Sequence, residues 1–163
     1  HVGKLNDEID SLKDGVFYFI KSLDETSVNA SKFYIEVLGY LQDVAQSISY
    51  ISKVSYKHVN NNHKNLKKEQ IKDLKQIDEK LSILLNKVSQ IFQTRDFSNL
   101  NEVLTDKQGL LKEVSLTIDK QVNRIRTEET SPKNTTLYFS VLLETKDLLK
   151  ALMSLLETYE EFK

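Results

Sequence analysis

An all-α fold, an antiparallel bundle of five helices, is what the chain predicts, on three observations. Apolar residues recur at alternating steps of three and four from end to end, the interruptions between them are short and polar, and 163 residues contain one proline and four glycines. The first marks one stripe of a helix. The second lets consecutive helices fold back on one another rather than run on as a free coiled coil. The third leaves too few turn-formers for a many-stranded sheet.

The first segment carries Leu5, Ile9, Leu12, Val16, Phe19 and Leu23 on one stripe. The second runs from about Ser27 to Val59 with Tyr34, Val37, Leu41, Val44, Ile48, Ile51 and Ser55. At 1.5 Å per residue it is roughly 50 Å long. Asn60, Asn61 and Asn62 interrupt it, since asparagine favours caps and turns over helix interiors. The third carries Ile71, Leu74, Ile77, Leu81, Leu84, Val88 and Ile91 and ends near Thr94. After Arg95-Asp96-Phe97, Ser98 is the expected N-cap of the fourth, which carries Val103, Leu104, Leu111, Val114, Ile118, Val122 and Ile125. Lys107 falls where that stripe calls for an apolar residue. Polar Glu128–Lys133, with Pro132, is the sharpest break. The fifth helix begins near Lys133 and carries Tyr138, Leu142, Leu149, Leu152, Leu156 and Tyr159.

Composition narrows the function classes. Hydrophobic residues are 39% and charged residues 29%, which suits a thin-cored, well-solvated helical domain of ordinary size. Without cysteine there are no disulfides, thiolate metal sites or cysteine nucleophiles, and a reducing compartment is favoured. A formal charge of -1 gives no global attraction for nucleic acid. No apolar run reaches the roughly 18 residues of a membrane span, and no signal peptide is visible. The opening His1-Val2-Gly3 is expected to continue from a longer chain. No nucleophile elbow, glycine-rich phosphate loop or His-x-x-x-His spacing occurs, so a non-catalytic role is expected.

The chain also matches itself at an offset of 104 residues. Glu25, Thr26, Ser27, Tyr34, Val37, Leu38 and Asp43 recur as Glu129, Thr130, Ser131, Tyr138, Val141, Leu142 and Asp147, and Ile48 and Ile51 meet Leu152 and Leu155. Shared capping, with Ser or Thr satisfying free backbone N–H groups, accounts for the Glu-Thr-Ser turn. Seven identities in one ungapped stretch point further, to a duplication. Residues 66–163 then form a complete three-helix repeat and residues 1–60 a truncated one, within a single domain spanning 1–163.

Two three-helix repeats with a signature on the third helix is the plan of PhoU-like phosphate-regulatory proteins. More closely, GYLQDVAQSISYISKV (Gly39–Val54), KHVNNNHK (Lys57–Lys64) and RTEETSPKNTTLYF (Arg126–Phe139) resemble the C-terminal cytosolic domain of bacterial sodium/phosphate cotransporters of the type II-related kind. The resemblance covers roughly Ser27 to Tyr159. It implies a regulatory domain of a sodium-dependent phosphate transporter, membrane-associated at the cytoplasmic face of the inner membrane and itself soluble. Its expected partner is the transport domain of the same polypeptide, with a homodimer left open and nucleic acid excluded. PhoU proteins also resemble one another in a Glu-x-x-x-Asp signature that binds divalent or iron-type metal. Asp43 and Asp147 match its aspartates, Gly39 and Leu143 stand where its glutamates belong, and Glu144 lies three before Asp147. The implied metal ligands are therefore Asp43, Glu144 and Asp147; no other cofactor is expected. A metal- or anion (phosphate)-binding helical module is the alternative function.

Three clusters complete the candidates. His58, Asn61, Asn62 and His63 read either as ligands that a turn gathers beside a carboxylate, or as a solvated helix C-terminus with Asn in a left-handed cap. Lys53, Lys57, Lys64, Lys67, Lys68, Lys72 and Lys75 face only Glu69 and Asp73, either a solubilising surface or a basic end for anionic lipid. Arg124 and Arg126 precede the second Glu-Thr-Ser turn, and Lys133, Asn134 and Thr135 open the next helix. That arrangement suits an anion such as phosphate, unless Glu128 and Glu129 pair with the arginines. With His58 and His63, these are the candidate anion or partner contacts.

Overall fold

In the computed structural model, residues 2–21, 28–127 and 131–162 are described, apart from the side chains of Phe17, Phe19 and Ile20. They form five α-helices: α1 (Val2–Lys21), α2 (Val28–Asn60), α3 (Lys68–Thr94), α4 (Leu100–Thr127) and α5 (Pro132–Glu161). Among the described residues there is no strand, and no helix is long and apolar enough to cross a membrane. The Phe19 side chain, the expected stripe position Leu23 and the turn residues Ser27, Glu128 and Glu129 lie outside the description.

Helix ends follow from local chemistry. Asn62 takes the left-handed conformation at φ 50° that ends α2, as its residue type led one to expect. Arg95 does the same after α3 at φ 56°, its N–H reaching the Ile91 carbonyl at 2.8 Å. Ser98 does not cap α4: the first helical bond runs from the Val103 N–H to the Asn99 carbonyl, so Asn99 holds that position. Asp96 instead accepts the Ser98 N–H at 2.9 Å and shapes the turn. Pro132 starts α5 at the position where its missing N–H costs nothing, and Ser131 accepts the N–H groups of Asn134 and Thr135.

The chain forms two compact units, residues 1–50 with 147–163 and residues 51–146. Their boundaries fall inside α2 and α5, not at the ends of the inferred repeats, because each long helix contributes to two packing neighbourhoods. In the first unit, Ile9 of α1, Ala45 of α2 and Leu149, Leu152, Met153 and Leu156 of α5 are buried. Phe33 of α2 stacks on Phe162 with centroids 4.2 Å apart and meets Tyr159 edge-on, so α2 and α5 run antiparallel there.

In the second unit, α3 and α4 pack antiparallel with a seven-residue rhythm. Lys120 pairs with Asp73, Glu113 with Lys80 and Asp106 with Lys87, three rungs spaced by seven on each helix. Between them Ile77, Leu84, Val88 and Ile91 bury against Val103, Leu110 and Val114, the seam of a short coiled coil. Lys107 is half-buried beside that seam. Tyr138 and Leu142 of α5 close the core, with Thr145 filling the next turn.

Candidate functional site

At one end of the second unit the apolar seam gives way to a polar layer. Apolar periodicity places Ile71, Val122 and Ile125 in the core, yet all three are exposed. Gln70, Asp73, Gln121 and Arg124 are buried in their stead. Each is one helical step from the expected position, so the two helices present a polar edge to one another over their last shared turns.

The layer is closed on itself. Asp73 Oδ1 accepts from Lys120 Nζ at 2.9 Å, and Oδ2 accepts from Arg124 Nη2 at 3.0 Å and from the Tyr138 hydroxyl at 3.1 Å. Arg124 also reaches Glu69 at 3.2 Å and Gln121 Oε1 at 3.3 Å. Gln70 donates to Gln121 at 3.2 Å and takes the Lys67 backbone N–H on its own oxygen at 2.9 Å. Gln121 donates on to Thr135 at 3.4 Å, which ties in the first turn of α5. Burial alone would push the Asp73 carboxyl up, but hydrogen bonds from Lys120, Arg124 and Tyr138 outweigh it and hold it below its ordinary value. Burial and the Asp73 charge raise the Tyr138 phenol, so it stays a donor.

Arg124 therefore does not wait at a turn for an anion. Its guanidinium points inward to carboxylates of α3, a pairing that the sequence separation of 51 residues to Asp73 concealed. Arg126, two residues on, is exposed.

The remaining anion candidates do come together. The turn after α2, the start of α3 and the start of α5 enclose a cleft of about 650 Å³, lined by His63, Lys64, Lys67, Ser131, Lys133 and Asn134 among others. His58 is buried, not solvated; its Nε2 lies 3.1 Å from the Lys64 carbonyl, and its ring centroid is 5.1 Å from that of His63. The two rings are thus gathered by the turn, where they brace the loop that carries Lys64. Asn134 donates through Nδ2 to the Asn65 carbonyl at 2.8 Å, joining α5 to the same loop. Lys64 and Lys67 belong to the basic stretch seen in the sequence, but nothing in linear spacing brings them to Lys133.

The carboxylate set implied by the resemblance is not assembled. Asp43 and Asp147 belong to the first unit, where both are exposed and Asp147 lies 3.8 Å from Lys150. Glu144 belongs to the second. Among the described residues no group of three or more His, Asp or Glu side chains is placed to hold a metal ion. The 104-residue match likewise joins residues in different surroundings: Tyr138 is fully buried on Asp73, whereas Tyr34 is 37% exposed. Comparison with protein-family models, curated proteins and solved structures found no match to this chain.

Proposed function

We propose that this chain is a non-catalytic PhoU-like regulatory domain, two pseudo-repeated three-helix units with the first truncated, belonging to a sodium-dependent phosphate transporter. On this reading it lies at the cytoplasmic face of the inner membrane. It acts through helix-face contacts with the transport domain of its own polypeptide or with a second copy. The observation that carries the non-catalytic part is the closed polar layer. Asp73 and Arg124, both buried, neutralise one another, and each carboxylate oxygen of Asp73 already accepts a bond. Such a centre fixes the register of three helices and offers no free base or nucleophile.

Contact between helix faces is supported by large apolar side chains left in solvent. In the second unit Tyr56 and Val59, one turn apart on α2, are 71% and 73% exposed. The link to phosphate transport rests on the resemblance of Gly39–Val54, Lys57–Lys64 and Arg126–Phe139. Two measurements test the proposal. The full reading frame should encode several long apolar segments upstream of His1; a frame without them sinks the tethered version. In cells producing the full-length protein, Tyr56→Lys with Val59→Lys should change how sodium-driven phosphate uptake responds to phosphate supply, while the melting of the isolated 163-residue chain stays put. An unaltered response would show that this face is not used.

A further inference from the structure

The α3–α4 pair exposes one face that is complementary to itself. It lies on the side that carries the three rungs. Ile83 of α3 and Leu116 of α4 stand on it, 57% and 58% exposed. Gly109, also exposed, has open space where a Cβ would stand. The absent side chain leaves a hollow of about 450 Å³ beside Ile83, floored by the buried Leu84 and Leu110 and flanked by Lys80 and Lys87.

The rungs fix the register of this face, since Asp73, Lys80 and Lys87 stand level with Lys120, Glu113 and Asp106. Counted from them, Ile83 is level with Gly109, and Gln76 with Leu116, to within one residue. These four occupy the middle of the face by their heptad positions. Lys72 and Glu79 line the outer edge of α3, and Asp119 and Lys112 line the outer edge of α4 at matching levels. All four edge charges are exposed, and none enters an ion pair among the described residues. The two edges lie on opposite sides of the face, so they do not meet within one chain.

A second copy related by a two-fold axis parallel to the helices lays α3 of each copy along α4 of the other, antiparallel and at the same level. Ile83 of each copy then enters the Gly109 hollow of the other. Lys72 meets Asp119 and Glu79 meets Lys112 along both outer edges. The rungs on the inner edges are already paired, so closing the faces strands no lone charge. Helices of 27 and 28 residues, spaced at ordinary packing distance, give a face of roughly 40 Å by 20 Å. That is about 800 Å² per copy, the extent of a standard stable interface.

We propose that the α3–α4 face joins two copies of this chain as an antiparallel four-helix bundle, with Ile83 of each copy seated on Gly109 of the other. An apolar knob from any helix would fill the hollow, but the edge charges, plus then minus on α3 and minus then plus at the same levels of α4, select α3 and α4 themselves. The inference gives a surface to the second copy that the proposed function allows, and it does not need the transporter. A chain that stays monomeric leaves that reading to its own uptake test.

Sedimentation equilibrium of the 163-residue chain from micromolar to millimolar concentration tests it. A monomer–dimer equilibrium is expected. Lys72→Glu with Glu79→Lys reverses the α3 edge, and Lys112→Glu with Asp119→Lys reverses the α4 edge. Either double variant alone should dimerise about tenfold more weakly, or worse. Mixing the two should restore a dimer as tight as the parent's, because each reversed edge then meets its complement. Gly109→Lys, a better helix former at an exposed site, should keep the helical circular dichroism and abolish the dimer. A chain monomeric at every concentration overturns the proposal. So does a dimer of parental affinity in both double variants, or a mixture that fails to restore it. A dimer lost only through Tyr56→Lys with Val59→Lys overturns it in favour of the α2 face.

Discussion

Replacing Arg124 by methionine keeps most of the apolar stem in the polar layer and removes only the guanidinium. Asp73 then loses its 3.0 Å partner while remaining buried, and Gln121 Oε1 loses one of its two donors. Breaking one half of a buried pair costs about 3–5 kcal/mol. Lys120 and Tyr138 still serve Asp73, which lowers that figure. The lost contact to Glu69 adds little, because that side chain is 76% exposed. The expected cost is about 2–3 kcal/mol. Adding Asp73→Leu to Arg124→Met should recover much of it, since an apolar pair leaves no buried charge behind. A single melting curve would mix the two compact units, so the measurement of choice is native-state hydrogen exchange read on peptides of α3 and α4. A loss under about 1 kcal/mol for Arg124→Met, or a double variant as weak as the sum of the singles, would refute the layer as a helix lock.

Three further outcomes are expected. The Asp73 carboxyl, held below its ordinary value of 3.8 when folded, contributes stability that is complete above the unfolded value and lost as pH falls through the folded one. Asp73→Asn should therefore be less stable at neutral pH yet lose less stability below about pH 4, and an equally steep acid limb would contradict this. Gly109 is exposed in α4 with open space where a Cβ would stand, so Gly109→Ala should stabilise the helix by about 0.5–1 kcal/mol, seen as a raised melting temperature. Reversing the Lys80–Glu113 rung by Lys80→Glu alone should cost about 0.5 kcal/mol at low salt, be recovered by adding Glu113→Lys, and fade in molar salt.

Five helices were legible because apolar spacing and turn residues act locally. Asn62 announced its left-handed cap, and Pro132 announced the start of α5 to within a residue. The core of the second unit was legible only where it is apolar. Hydrophobic periodicity points to Ile71, Val122 and Ile125, whereas packing buries Gln70, Gln121 and Arg124 beside them. A polar residue gains an interior place only when its partners arrive from other helices, and Asp73 and Tyr138 stand 65 residues apart. The rungs did leave a signal, since Asp73, Lys80 and Lys87 oppose Lys120, Glu113 and Asp106 at sevenfold spacing. Of the cleft's lining, Lys133, Asn134 and His63 were already candidates from the helix start and the basic turn. Lys64 joins them only through the fold.

The polar layer and the cleft are connected through charge. Between Lys53 and Lys75 the sequence holds seven lysines and two acids, Glu69 and Asp73. Both acids turn toward α4, where Arg124 and Lys120 engage them. Among the described residues Lys64, Lys68, Lys72, Lys75 and Lys133 are left without an acidic partner. The α4 cations that neutralise the interior thus hold Glu69 and Asp73 away from the lysines outside. The surplus of lysines among the described residues at this end of the unit is a product of helix packing rather than of net charge, which is -1 for the whole chain.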